Sequence, residues 1–166
     1  MKIGPAHDHE IPTVLALVEA LLAELGDEGQ EFAGIDRDKL RVDLARNLES
    51  GRFLALLAKD ASDAPIGVLT LSESFALYAG GEYGVIDEMY VRPDRRGQGI
   101  GRELVEAAVA LAREKRWFRL DVTGPGEAAG GSDRPPGDPR RRDDPAVRFY
   151  EKLGFEFTGP KLRLLV

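Results

Sequence analysis

The chain contains no cysteine, so disulfides, thiolate metal sites and a cysteine nucleophile are all excluded. The last exclusion bears on chemistry: any group transfer must proceed without a thioester on the protein. Histidine is scarce, with His7 and His9 the only two. No apolar run approaches the ~18 residues of a membrane span, so no membrane partner is expected. The N-terminus lacks the basic-then-apolar layout of a signal peptide, which makes the cytoplasm the expected location. Positive charge is also short, with 23 Lys and Arg against 29 Asp and Glu and a net charge of −6. General nucleic-acid binding needs cations to displace phosphate counterions, so none is expected. The 166 residues, 43% hydrophobic, are enough for one domain with a genuine core, given a usual ~100–200 residues per domain.

What is present first is periodicity. Over residues 8–25 the apolar positions Ile11, Val14, Leu15, Val18, Leu21, Leu22 and Leu25 recur at helical spacing. Asp8 or His9 can cap the start, Pro12 suits a first turn and Gly26 ends the run. A second helix is predicted over 36–49, with Leu40, Leu44 and Leu48 on one stripe. Strands over 53–59 and 66–77 flank an Asp-rich connection that suits a hairpin. Gly80-Gly81 interrupts the chain before a strand over 83–91. A helix opening within 97–101 runs to about residue 116, burying Leu104, Val105, Ala108, Leu111 and Ala112. A strand over 117–123, a short helix over 145–153 and closing strands over 155–158 and 162–166 complete the chain. Trp117, Phe53, Phe75 and Phe118 read as core. The order αα-βββ-α-β-α-β implies an α/β domain with a mixed sheet flanked by helices, spanning residues 1–166.

Residues 124–144 break the pattern, with repeated glycine and proline, almost no apolar side chains and the run Arg140-Arg141-Arg142. A structureless loop beyond ~12–15 residues is usually functional or disordered, and a mobile loop is expected here. The arginine triplet reads as solvated.

The informative stretch runs from Val85 through Asp87, Glu88, Met89, Tyr90 and Val91 to Arg96-Gly97-Gln98-Gly99-Ile100-Gly101-Arg102. It reads as a strand, a glycine-rich turn and the first turn of a long helix. Glycines let the backbone approach a ligand and adopt positive φ. A helix start offers unpaired N–H groups and the positive dipole end, which together suit phosphate. Arg92, Arg95, Arg96 and Arg102 stand against Asp94 and Glu103, a local positive patch in an acidic chain. The spacing fits neither the nucleotide P-loop nor G-x-G-x-x-G, whose third glycine here comes one residue early.

It does resemble the R/Q-x-x-G-x-G/A signature of the GCN5-related N-acetyltransferases, matched by Arg96, Gly99 and Gly101. The strand ending in Val91-Arg92-Pro93 is similar to the family's. So is the run from Asp143 through Ala146, Phe149 and Tyr150 to Gly154-Phe155, which looks like its N-x-x-A-x-x-F-Y-x-x-x-G-F segment. Asp143 departs from the family's asparagine, losing amide donors but keeping an acceptor. The resemblance implies a GCN5-related fold that binds acetyl-CoA as co-substrate. It assigns Met89, Tyr90 and Val91 to the acetyl and pantetheine parts, Arg96 to Arg102 to the pyrophosphate, and Asp143 to the cofactor arm.

Without cysteine, the simplest mechanism is direct attack of an acceptor amine on the thioester in a ternary complex. An amine of pKa near ~10.4 is protonated at pH 7 and must lose a proton. Glu88 is the first candidate base and Asp87 the second; strand alternation puts them on opposite faces unless a bulge intervenes. The resemblance makes Tyr150 a proton donor to the leaving thiolate. The expected acceptor is a small-molecule amine, with a protein N-terminus or lysine, or a non-catalytic CoA-binding module, as alternatives. A homodimer is left open. His7-Asp8-His9-Glu10 is not H-E-x-x-H and sits where a helix needs capping, so no metal is expected.

Overall fold

Among the described residues, five strands form one sheet in the order β1-β2-β3-β4-β5. The computed structural model describes residues 1–25, 36–122 and 145–156. β1 (Lys2–Pro5), β2 (Phe53–Lys59), β3 (Pro65–Ala76) and β4 (Gly81–Val91) run antiparallel in sequence, and β5 (Leu120–Val122) joins β4 in parallel. The sheet is therefore mixed. The α-helices among the described residues are α1 (Ile11–Glu24), α2 (Arg37–Glu49), α3 (Ile100–Glu114) and α4 (Pro145–Glu151). The chain divides into two compact units, Met1–Val122 and Thr123–Val166; the first holds β1 to β5 with α1 to α3, and α4 belongs to the second. The expected loop over 124–144, the strand over 162–166 and half of that over 155–158 lie outside the described residues.

Alternation along β3 separates two apolar layers. Ile11, Val14 and Leu17 of α1 and Leu44 of α2 cluster with Ala55, Leu57, Val68 and Tyr90. At Gly67, one residue earlier on β3, the direction a side chain would take leads to Leu104 of α3 at 3.4 Å. Successive strand residues point to opposite faces, so α1 and α2 cover one side of the sheet and α3 the other. Leu104, Val105 and Ala108 are fully buried, as their spacing predicts.

Three local details depart from the sequence reading. β1 has only one apolar residue and carries Gly4 and Pro5, so it shows no strand pattern; it is held by pairing with β2. The start of α1 is not capped by Asp8 or His9: the Glu10 carboxylate accepts the His7 N–H at 2.9 Å and pairs with Lys59. Phe75 and Phe118 are 66% and 79% exposed rather than core. Trp117 is buried as expected. Its indole N–H and the Lys115 ammonium both donate to Glu73 Oε2 at 3.0 Å, and Lys115 also donates to the Gly51 carbonyl. That network pins the end of α3 to β3, and the indole lies directly over Gly84 of β4.

Candidate active site

The β3–β4 ladder slips by one residue. Leu69 pairs with Met89, yet Leu71 pairs with Ile86, so Thr70 stands opposite both Asp87 and Glu88. Two residues facing one is a β-bulge, and it reverses side-chain parity along β4. Unbulged, Ile86 and Tyr90 would share a face; here Ile86 pairs with Leu71 and Tyr90 with Val68, on opposite faces. The parity of the two carboxylates is settled in the same way. Thr70 is 1% exposed; its hydroxyl accepts the Glu88 N–H at 3.0 Å and donates to Glu88 Oε2. Glu88 therefore turns toward the α1–α2 side, half-buried, while Asp87 is exposed. Burial holds the Glu88 carboxyl above the ordinary carboxylate range; the Thr70 hydroxyl pulls it back and the Asp87 charge pushes it further up.

Among the described residues, the parallel ladder between β4 and β5 pairs Gly84, Val85 and Ile86 with Leu120, Asp121 and Val122. Asp87, Glu88, Met89, Tyr90 and Val91 follow on the stretch of β4 that leads into the glycine turn. Met89 and Val91 remain in register with Leu69 and Gly67 of β3. The Tyr90 side chain belongs to the core, and its hydroxyl donates to Glu24 at 3.0 Å.

Gly97, Gln98 and Gly99 connect the single turn at Pro93–Arg95 to α3. Gly99 is the N-cap of α3 at φ +82, without a capping side chain. The first-turn N–H groups of a helix have no intrahelical acceptor, so Ile100, Gly101 and Arg102 present amides with the dipole's positive end behind them. A Cβ built on Gly99 meets nothing within 4 Å, which leaves the approach to these amides open. The expected positive patch is internally paired. Arg92 binds Asp94 at 3.0 Å, Arg95 binds Asp60 at 3.1 Å, Arg96 binds Glu24 at 2.6 Å and Arg102 binds Glu106 at 2.7 Å. The side-chain cations at this turn are thus engaged by carboxylates, beside the first-turn amides of α3.

In the second unit Tyr150 is buried on α4, with its ring edge-on to Phe149 and Phe155. Desolvation pushes its phenol up to about 12, so it stays protonated at neutral pH. Asp143 lies outside the described residues. Among the described residues no group of three or more His, Asp or Glu could hold a metal ion. None of the described helices is long and apolar enough to cross a membrane.

Thr70 and Glu24, which contact the candidate residues Glu88, Tyr90 and Arg96, were not singled out by the sequence. Thr70 left a faint signal, a lone hydroxyl inside the apolar run from Ile66 to Leu71. Glu24 left none, because its partners lie 66 and 72 residues away.

The family model for the acetyltransferase (GNAT) domain matches residues 50–157 of this chain. The peptidyl-lysine N-acetyltransferase YjaB of Salmonella typhimurium is 30% identical over 141 residues, covering 80% of each chain. The GCN5-related N-acetyltransferase from Ralstonia eutropha superposes with a TM-score of 0.76 at 18% identity, over 99% of this chain and 97% of that one. A Clostridium acetobutylicum protein, described as a predicted acetyltransferase with acetyl-CoA, gives 0.75 at 20% identity, over 99% and 95%. This chain belongs to the GCN5-related N-acetyltransferase family and is an acetyl-CoA-dependent N-acetyltransferase.

An expected result follows for the turn. Gly99→Val forces a β-branched residue to positive φ, a strain of about 1–3 kcal/mol, and places its methyl groups where the backbone must be approached. The variant is expected to fold yet bind CoA at least about tenfold more weakly, on the order of one lost charge-assisted hydrogen bond. Calorimetry checks this; unchanged affinity in the folded variant contradicts it.

Proposed function

We propose that this enzyme transfers the acetyl group to the ε-amino group of a lysine in a protein, by direct attack in a ternary complex with Glu88 as base. The observation that carries the chemistry is the bulge, which holds Glu88 half-buried against Thr70, where burial keeps its carboxyl above the ordinary carboxylate range. A base is most effective when its pKa lies near the working pH. Glu88 takes a proton from the ammonium, directly or through one water, and the neutral nitrogen attacks the thioester carbonyl carbon. The carbon–sulfur bond then breaks. A main-chain amide from Met89 or Val91 stabilises charge on the carbonyl oxygen. Tyr150, protonated at neutral pH, gives its proton to the departing thiolate; the nitrogen releases its second proton to water as the amide forms, and water returns a proton to the phenolate. Gly97, Gln98, Gly99, Ile100, Gly101 and Arg102 hold the pyrophosphate through backbone amides. Support for lysine as acceptor comes from the Salmonella relative, a peptidyl-lysine acetyltransferase.

The test offers acetyl-CoA with lysine-containing peptides, peptides whose lysines are blocked but whose α-amine is free, and small polyamines. Mass spectrometry reads the products. We expect the highest kcat/KM for lysine side chains. Faster transfer to small amines or α-amines would overturn the acceptor assignment, and absence of CoA release with every acceptor would leave a binding module.

Tyr150→Phe is expected to lower kcat while leaving KM for acetyl-CoA unchanged, because the proton is needed only as sulfur leaves. Full kcat with a raised KM would make Tyr150 a packing or binding residue.

A further inference from the structure

Glu24 is the last residue of α1, where the helix dipole disfavours an acid, and no basic residue occupies the same turn. A carboxylate kept at the wrong end of a helix needs a tertiary partner. It has two. Tyr90 Oη donates to Oε1 at 3.0 Å, and Arg96 Nη2 donates to Oε2 at 2.6 Å. The same guanidinium donates through Nε to the Val91 carbonyl at 2.9 Å and lies 5.6 Å from the centre of the Tyr90 ring. The carboxylate therefore closes a clasp between the end of α1, the last residues of β4 and the residue that opens the glycine turn. Arg96 charge and the Tyr90 hydroxyl hold Glu24 below the ordinary carboxylate range, so the clasp is ionised at neutral pH.

We propose that Glu24 is a positioning residue for CoA binding, acting through Arg96: the clasp fixes the turn so that its amides face the pyrophosphate, and Arg96 is a brace rather than a phosphate ligand. The inference rests on the reading that this turn binds CoA, and it reverses the role that the sequence motif suggests for Arg96. A guanidinium with Nε committed to one carbonyl and Nη2 to one carboxylate is oriented along the protein. A guanidinium awaiting phosphate would instead be set free by removing Glu24. The two roles predict effects of opposite sign.

The experiment measures CoA affinity by calorimetry, together with kcat and KM for acetyl-CoA, in Glu24→Gln, Arg96→Gln, the double variant and Tyr90→Phe. Thermal midpoints monitor the fold. Glu24→Gln is expected to weaken CoA binding roughly five- to tenfold, with kcat at saturating acetyl-CoA within about twofold of wild type, since one hydrogen bond to a charged group is worth about that factor. Arg96→Gln should match it, and the double variant should lose no more than either single one. Tyr90→Phe should shift affinity in the same direction by less. A Glu24→Gln protein that binds CoA as tightly as wild type, or more tightly, overturns the proposal, because Arg96 would then be a phosphate ligand. An equal fall in kcat and thermal midpoint would also overturn it, showing general loosening instead of positioning. Unchanged CoA binding in Gly99→Val would remove the turn reading itself, a failure distinguishable from that of the clasp.

Discussion

Glu88→Gln is expected to lower kcat/KM at pH 7 by about 10²–10⁴-fold, the usual contribution of general-base catalysis, with CoA affinity retained. The substitution keeps the shape and the hydrogen bond from Thr70, and removes only the capacity to take a proton. The pH profile makes the assignment specific. In the wild-type enzyme the rate should fall on the acid side through the Glu88 titration, displaced above the ordinary carboxylate range by desolvation and the Asp87 charge. The variant should lose that limb and regain rate as rising pH supplies neutral amine. The same displacement has a stability consequence. A carboxyl whose folded pKa lies above its unfolded one stabilises the fold while protonated, and that contribution is lost as pH rises through the folded value. Wild-type protein should therefore be less stable than Glu88→Gln near neutral pH and equal to it below the unfolded carboxylate pKa. Wild-type kcat/KM in Glu88→Gln with an unchanged profile would remove Glu88 as base. Asp87→Asn, at an exposed position, should have the smaller effect.

Gly84→Ala is expected to be the most damaging single methyl group added to the first unit. A Cβ there would lie 2.3 Å from Trp117 Cζ3, 2.5 Å from Cε3 and 2.6 Å from Leu120 Cδ2. None of these can retreat freely. The indole is buried and tied through its N–H to Glu73, which also holds Lys115. Leu120 sits on β5, directly paired with Gly84. Overpacking of a tight core costs about 1–3 kcal/mol and sometimes more, and these distances place the substitution at the upper end. A chain of this size loses about 2–4 °C of Tm per kcal/mol, so a fall of roughly 6–12 °C is expected. Because Gly84 anchors the β4–β5 pairing just before the bulge, acetyl transfer should fall with the fold. A Tm within about 2 °C of wild type would show that Trp117 is not fixed as described.

Much of the scaffold is legible in the residues because burial follows period. Leu104, Val105 and Ala108 recur on one stripe, and that stripe faces the sheet. The glycine turn is legible for a different reason: positive φ and close approach restrict those positions to glycine whatever surrounds them. The geometry of the two strand carboxylates is less so. Whether Glu88 or Asp87 turns inward follows from the bulge, and the bulge lies opposite Thr70, a residue of the neighbouring strand that Glu88 hydrogen-bonds. No alternation within β4 encodes it. Arg96 reads as a phosphate ligand from its spacing to Gly99, and only the fold places Glu24 against it. Phe75 and Phe118 look like core because aromatic residues usually are, yet both remain exposed. β1 is invisible because its place on the sheet edge is decided by β2.

The central claim is direct transfer from acetyl-CoA to an amine without an acetylated enzyme. It is tested most directly by initial rates over a matrix of acetyl-CoA and lysine-peptide concentrations, with the intact enzyme weighed after incubation with acetyl-CoA alone. Direct transfer gives intersecting double-reciprocal lines and an enzyme of unchanged mass. Parallel lines together with an acetylated enzyme that passes its acetyl group to the peptide would contradict it.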